Sequence, residues 1–336
     1  MLCRLVPPCV RQPRQLVRII ALAVVAGSAT EAQRLTGRVL ESDGATPAPW
    51  VALLVVDSTG NAIARGQTTV TGSFAIDVPA VGRYSVRALR VGFRPTVTPL
   101  LLVAAGPPTT VQVQLTGQRV ELPTVRVRDR STCQSTLAGG DALVDTWDQA
   151  RAALLGVMHN EGASDLSFAI VNWVVENDVW PDTGTKRFID EPRPSRGAGF
   201  RSRPARELLR DGFVQSVADS VEFHAPDALV LLDPEFAASY CFWLEPAPPH
   251  HPDWVGLGVY SAQTTVGRVS VEGVLWLTRD GALVRFDYRY VGLDQVLEPA
   301  QPGGRVEFLR LPSGQWIVSR WGIRMPQLVT EMQSLG

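Results

Sequence analysis

Gly72-Ser-Phe-Ala-Ile-Asp-Val78 places Phe74, Ile76 and Val78 on one side of an extended chain and Ser73, Ala75 and Asp77 on the other. That period of two marks a half-buried strand. Outward from it, Leu35–Leu40, Val51–Asp57, Arg83–Leu89 and Thr110–Leu115 are likewise rich in Val, Leu and Thr. Between them stand Asp43-Gly44, Ser58-Thr-Gly-Asn61, Thr71-Gly72, Val81-Gly82 and Gly106-Pro-Pro108, which are turn chemistry. Closely spaced strands with no helical period over residues 35–116 predict a small β-sandwich.

These residues carry a resemblance. Thr36-Gly-Arg-Val39, Pro49-Trp-Val-Ala-Leu53, Thr68-Thr-Val-Thr-Gly-Ser-Phe74, Gly82-Arg-Tyr-Ser-Val86 and Gly92-Phe93, in that order and spacing, resemble the carboxypeptidase regulatory-like family. Val70 stands where many members carry an acidic or polar residue. The resemblance implies a seven-stranded, transthyretin-like sandwich that serves as a non-catalytic accessory module in secreted or outer-membrane proteins. Leu122-Pro-Thr-Val-Arg-Val127 resembles the segment that joins this module to the plug of TonB-dependent outer-membrane receptors. About 200 residues follow, too few for the plug and large barrel of that class, so a shared front module is expected and not a receptor.

The stretch 118–140 reads as a linker with one exposed strand, basic through Arg119, Arg126, Arg128 and Arg130. A helix is expected over Asp141–Leu155, where Leu143, Trp147, Ala150 and Leu154 recur at helical spacing, with Gly156 ending it. Thr146 and Gln149 have the form of a capping box for a later start. Beyond, strands are expected near Leu166–Val175, Phe213–Phe223 and Cys241–Leu244. Val269–Leu277 and Ala282–Tyr290 form a hairpin across Asp280-Gly281, with Val284, Phe286, Tyr288 and Tyr290 on one face against Leu283, Arg285, Asp287 and Arg289. Val306–Leu311 and Trp316–Ile323 continue the meander. The fold class is therefore mainly β: the sandwich at 33–117, then an α+β domain at 141–336 built on a large curved antiparallel sheet. The motifs Tyr240-Cys-Phe-Trp243, Gly273-Val-Leu-Trp-Leu277, Phe286-Asp-Tyr288, Val306-Glu-Phe-Leu-Arg-Leu-Pro312 and Trp321-Gly-Ile-Arg-Met-Pro326 resemble an uncharacterised domain found behind regulatory-like modules in environmental bacteria, which implies no activity.

The first 32 residues read as a secretory signal peptide. Arg4, Arg11, Arg14 and Arg18 precede the apolar run Ile19–Gly27, and small residues follow at Thr30 and Ala32. The run is too short to span a bilayer, and an uncleaved anchor would leave the chain on the same side of the membrane. Export with signal cleavage leaves no transmembrane span and places the protein in the periplasm, at the outer membrane or outside the cell. Cleavage removes four of 32 basic residues and one of 33 acidic ones, Glu31, leaving 28 against 32 and a net charge of −4. Nucleic acid, which calls for a basic excess, is excluded as a partner. Cys3 and Cys9 go with the signal, and Cys133 with Cys241 remain as an even pair in an oxidising compartment. A disulfide is expected of them, the alternative being two unrelated buried thiols.

Chemistry is sparse. His250, His251 and Asp253 cluster, with His224 upstream, and are zinc-ligand types, but Pro248, Pro249 and Pro252 put them in a loop and their spacing matches no helical pair. No metal or other cofactor is expected. No Gly-x-Ser-x-Gly elbow and no His-Glu-x-x-His occurs, and His159 stands alone after a helix end. Asp178, Asp182, Asp190 and Glu191 are carboxylates whose spatial separation the sequence does not give. Trp316 and Trp321 flank Arg320, with Arg324 beyond, a set that serves either as a binding platform or as core filling with arginines at a sheet edge. The sequence thus leads to a secreted or envelope-associated, non-catalytic binding or accessory protein whose partner is an envelope protein or a glycan. The alternative is a hydrolase of glycans or peptides with its site in the carboxy-terminal domain.

Overall fold

The computed structural model describes residues 33–125, 133, 140–160, 166, 168–171, 173–176, 185–188, 193–195, 201–217, 220–262, 267–293 and 301–325. The expected signal segment, Arg126, Arg128, Arg130 and the carboxylates Asp178, Asp182, Asp190 and Glu191 lie outside the described residues.

The amino-terminal strands are β1 (Gln33–Leu40), β2 (Ala52–Asp57), β3 (Ala62–Gln67), β4 (Ser73–Val78), β5 (Gly82–Leu89), β6 (Thr96–Val97), β7 (Leu101–Val103) and β8 (Thr109–Gln114). One sheet has the order β4-β1-β8, and the other β3-β2-β5 with β6 and β7 both paired to β5. β6 meets Arg87 and Ala88 while β7 meets Gly82 to Tyr84, and Thr98 between them bonds Val86 through its own backbone N–H and its hydroxyl. They are one edge strand interrupted at Pro99, which makes seven strands in the sandwich. As the alternation predicts, Phe74, Ile76 and Val78 face Leu53, Val55, Val86 and Ala88 of the opposite sheet in one buried cluster. β3 was not among the expected strands, because Ala62-Ile-Ala-Arg-Gly-Gln67 carries few β-forming side chains.

The carboxy-terminal part contains α1 (Gly140–Asn160), the short strands β9 (Phe168–Ile170), β10 (Trp173–Glu176), β11 (Thr185–Phe188) and β12 (Arg193–Ser195), then α2 (Ala205–Asp211), β13 (Val214–Val217), β14 (Ser220–Phe223), α3 (Ala228–Leu231) and α4 (Pro234–Ser239). The strands β15 (Tyr240–Glu245), β16 (Trp254–Ser261), β17 (Ser270–Thr278), β18 (Leu283–Val291), β19 (Gly303–Arg310) and β20 (Trp316–Arg324) follow. These six form one antiparallel sheet in sequence order, in which β17 to β20 are the expected meander, β15 is the strand expected near Cys241–Leu244, and β16 was not expected. Its inner face carries Phe242, Leu257, Val259, Leu275, Leu277, Phe286, Tyr288 and Val306. A register shift beside Leu277 turns Leu283 inward, where it is 1 % exposed, and leaves Val284 half-buried, the reverse of strict alternation.

Helix α1 runs five residues past its expected end at Leu155. Gly156 is a packing position and no terminus: a Cβ there would lie 3.3 Å from Trp316 and 3.5 Å from Gln67. Thr146 and Gln149 sit mid-helix and cap nothing. The Thr146 hydroxyl donates to Ala142 O at 2.7 Å, and Gln149 reaches out of the helix altogether. It accepts from Gly92 N at 2.7 Å and donates to Phe93 O at 2.9 Å, both on the sandwich. Gly281 of the β17–β18 turn, at φ 86°, leaves that amide its space, since a Cβ would stand 2.7 Å from Gln149 Oε1.

The two parts share a core. Ala52, Leu54 and Leu89 on the outer face of the β3-β2-β5 sheet belong to the same buried cluster as Leu143, Ala150, Leu154 and Leu155 of α1 and the inner face of the six-stranded sheet. The stretch at 118–122 packs on this core, and the strand expected around Val125 and Val127 lies largely outside the described residues. Val120 and Leu122 are buried, Val120 N donates to Gly92 O, and Leu122 N donates to Arg279 O. Polar groups line the same joint. Arg87 of β5, directly opposite Leu54 of β2, pairs at 2.5 Å with Asp148 of α1, whose side chain is 4 % exposed. Arg65 donates to Leu232 O at 2.9 Å. Burial, then Arg87, pulls Arg151 down to about 10, with Arg65 adding to the effect. Burial raises the Asp148 carboxyl despite Arg87 and Arg151.

Cys133 and Cys241 form a disulfide that joins residues 108 apart in sequence, with Cα atoms 5.0 Å apart. Among the described residues no helix is long and apolar enough to cross a membrane.

Asp148→Ala leaves Arg87 and Arg151 without their shared carboxylate and should destabilise the chain by about 3 kcal/mol in denaturant unfolding. Arg87→Ala in that background should then add little, whereas fully additive losses would show that the two do not act as a pair. Replacing both Cys133 and Cys241 by serine should lower stability by up to about 4–5 kcal/mol, the chain-entropy ceiling for a loop of this length, measured as a fall in the unfolding free energy with a steeper denaturant slope, because the denatured chain without its cross-link is less compact.

Candidate functional site

At one end of the six-stranded sheet the chain builds a cleft of about 470 Å³ between α2, α4 and the ends of β15, β16 and β17. Local sequence fixes each wall. Asp233 caps α4 by accepting from Glu235 N at 2.8 Å and Phe236 N at 3.2 Å, with Pro234 pre-set for the first turn. α2 ends at Gly212, at φ 91°, whose N–H donates to Leu208 O, and Phe213 N then donates to Val269 O to tie the helix to β17's approach.

Tyr240 forms the floor. Its ring stacks on Phe236 with centroids 3.9 Å apart, and its hydroxyl shares a 2.9 Å hydrogen bond with Ser270 Oγ. Burial pushes this phenol up to about 12, against the pull of the Ser270 bond, so at neutral pH it is a neutral hydrogen-bonding group and not a base. Arg268 is anchored where its Nη1 donates to Leu209 O at 2.7 Å. Arg206 and Arg210 stand on α2, Arg210 held by two 2.7 Å bonds to Asp211. Among the described residues Glu235 is the one carboxylate of the lining, and Ser239 and Ser261 add hydroxyls. Among those residues the groups of the lining suit hydrogen bonding and charge pairing.

The sequence candidates lie elsewhere and do not form one patch. An irregularity in the β19–β20 register puts Trp316 and Trp321 both on the inner face, Trp316 at 5 % exposure against α1 and Trp321 packed on the same core, while Arg320 and Arg324 point to the opposite face. His251 is stacked on Trp254 at 3.8 Å, and Arg285 lies 4.8 Å over the same ring. His250 and Asp253 flank that pair in the turn before β16, and among the described residues no three His, Cys, Asp or Glu converge as metal ligands would. His224 sits 3.6 Å from Glu222, and burial lowers it.

The outer face of the sheet is occupied by its own contacts. Asp287 accepts from Arg305 at 2.7 Å and from Trp276 Nε1 at 3.0 Å, and pairs with Arg285 at 2.8 Å. Trp243 stacks on Tyr260 at 4.4 Å, and both donate to the buried Glu245. Rings and charges so engaged are a self-satisfied surface. The cleft was beyond sequence reasoning because its residues come from four separated segments; the quoted Tyr240-Cys-Phe-Trp243 touched it only at Tyr240.

Residues 34–116 match the carboxypeptidase regulatory-like domain. No curated protein matches the chain. Among solved structures, a candidate carbohydrate binding protein from Bacteroides uniformis aligns at 11 % identity over 74 % of this chain and 99 % of its own, with a TM-score of 0.22. A 9R-lipoxygenase from Cyanothece aligns at 12 % identity over 88 % of this chain and 42 % of its own, with a TM-score of 0.21. Scores of this size carry no argument about the present chain.

Burial raises Tyr288 and Tyr290 as well as Tyr240. A tyrosine whose folded pKa is raised contributes stability that is complete below the unfolded value of about 10 and is lost as pH rises through the folded value. Unfolding free energy should therefore hold steady from pH 8 to about 10 and fall above it, and a stability that rises over that upper range would contradict the burial of these phenols. Tyr240→Phe, which removes the bond to Ser270, should cost about 1 kcal/mol.

Proposed function

We propose that this chain, which carries a carboxypeptidase regulatory-like domain at residues 34–116, is an exported, envelope-associated, non-catalytic binding protein. The sandwich is its accessory module and the cleft beside Tyr240 is its ligand site. The observation that carries the reading is the cleft's lining: hydroxyls and guanidiniums around one carboxylate, of a size that takes a small molecule or the end of a larger one. The Cys133–Cys241 disulfide supports an oxidising compartment, as does the charged, apolar and small-residue order of the first 32 residues. The partner is a glycan or an envelope protein that presents such a group.

Fractionation of cells producing the full chain should recover it outside the cytoplasm with no free thiol, and recovery in the cytoplasm with two free thiols would overturn export. Calorimetry of the exported form against envelope-derived saccharides and peptides should give saturable heats with the ligands recovered intact. Release of new reducing ends or amines on prolonged incubation would make it a hydrolase instead.

A further inference from the structure

We propose that three arginines at the joint of the two lobes, Arg65, Arg87 and Arg151, form a site for a small inorganic oxyanion such as phosphate. Cross-strand register sets two of them. Leu54 of β2 stands opposite both Arg65 of β3 and Arg87 of β5, so the two side chains rise on either side of one fully buried leucine. Two strand spacings put their Cα atoms roughly 10 Å apart. α1 packs on this row and brings Asp148 to Arg87. Arg151 follows three residues on, on the same side of the helix.

The charges at this place do not balance. Asp148 is held by Arg87 at 2.5 Å, and Asp145 by Arg94 at 2.9 Å. Asp233, whose charge acts on Arg65, caps α4 with its carboxylate, while Arg65 itself donates to Leu232 O, a neutral group. Asp148 and Asp233 against Arg65, Arg87 and Arg151 leave one positive charge in excess. Arg151 carries it: among the described residues this guanidinium makes no hydrogen bond and no ion pair, and Arg87 Nε is buried without an acceptor. Burial and the fields of Arg87 and Arg65 both press on the Arg151 charge. A guanidinium withdrawn from water without a partner destabilises the fold, and a bound anion offsets that cost. All three arginines keep partial exposure, so an ion can enter from solvent. Guanidinium forks match an oxyanion, which accepts on several oxygens at once, better than a halide. Leu54, Met158 and the Leu232 carbonyl stand around them and offer a hydroxyl-rich or peptide ligand no donor, so the bare ion fits best. None of these residues lines the cleft beside Tyr240, and a failure here would leave the assignment of that cleft untouched.

The test titrates the full chain calorimetrically with sodium phosphate in a chloride buffer of matched ionic strength. Phosphate should bind saturably at one site, and the thermal midpoint should rise with phosphate over about 0.1–10 mM. Arg151→Met, which keeps an unbranched apolar stem, should weaken phosphate binding at least about tenfold. In chloride alone its midpoint should be unchanged or higher, because the variant removes an unpaired, largely buried charge. Arg151→Lys keeps the charge without the fork, and its affinity should fall between the two. The absence of saturable phosphate binding would overturn the site, as would binding by Arg151→Met as tight as that of the natural chain. A clear fall of the Arg151→Met midpoint in chloride would show that the guanidinium has a partner within the chain, and that too would overturn it. Chloride competing with phosphate as an equal would overturn the choice of an oxyanion.

Discussion

Everything in this molecule depends on one helix being buried on two sides at once. α1 carries Leu143, Trp147, Ala150, Ala153, Leu154 and Val157 at under a tenth exposure, together with the polar Thr146, Asp148, Gln149 and Asn160. A surface helix has one apolar stripe; this one is enclosed almost all round, as only a helix between two layers can be. The β3-β2-β5 sheet covers one side and the six-stranded sheet the other. Each fully buried Leu or Phe in such a cluster contributes roughly 1.5–3 kcal/mol, and here the residues that contribute come from both modules. The sandwich and the sheet domain are therefore two lobes on one core.

The polar groups at the joint act differently from the apolar ones. Asp148 answers Arg87 directly and Arg151 through the local field, while Arg65 leans on Leu232 O and the charge of Asp233. Ion pairs this deep repay little beyond their desolvation, but a mismatched docking would leave a charge stranded. Their effect is to fix which way α1 lies across β2 and β5. Gln149 does the same with neutral bonds, holding the Gly92 turn of one lobe and fitting the Gly281 turn of the other. The cleft inherits this order, because its walls are strands and capped helices anchored to the same core.

Strands with clean alternation around a bulky apolar residue were legible in the sequence, as in Ser73–Val78 and the hairpin across Asp280-Gly281. β16 was missed although Val255, Leu257 and Val259 alternate through it. Its outer face is Trp254, Gly256, Gly258 and Tyr260, and glycines after a proline-rich loop suggest a continuing loop. The glycines have a packing reason: a Cβ on Gly256 would stand 2.7 Å from Glu245 and from Trp276, and one on Gly258 2.5 Å from Tyr260. Trp316 and Trp321 are five apart and would face opposite ways in a regular strand. The irregularity near Glu307 and Phe308 brings both inward, a geometric event with no local signature. Gly156 misled for a related reason, since a glycine that ends a helix and one that admits a neighbouring strand look alike in one dimension.

The two-sided apolar run Ala52-Leu-Leu-Val55 has a consequence for the order of events during synthesis. Leu53 and Val55 find partners within the sandwich, but Ala52 and Leu54 find theirs on α1, which begins 26 residues after β8 ends. A sandwich that closes as soon as its own strands have emerged presents a sticky bare face until the helix arrives. During that interval the bare apolar face is an aggregation hazard. The hazard ends when α1 covers β2 and β5, and the far side of the same helix packs on the six-stranded sheet.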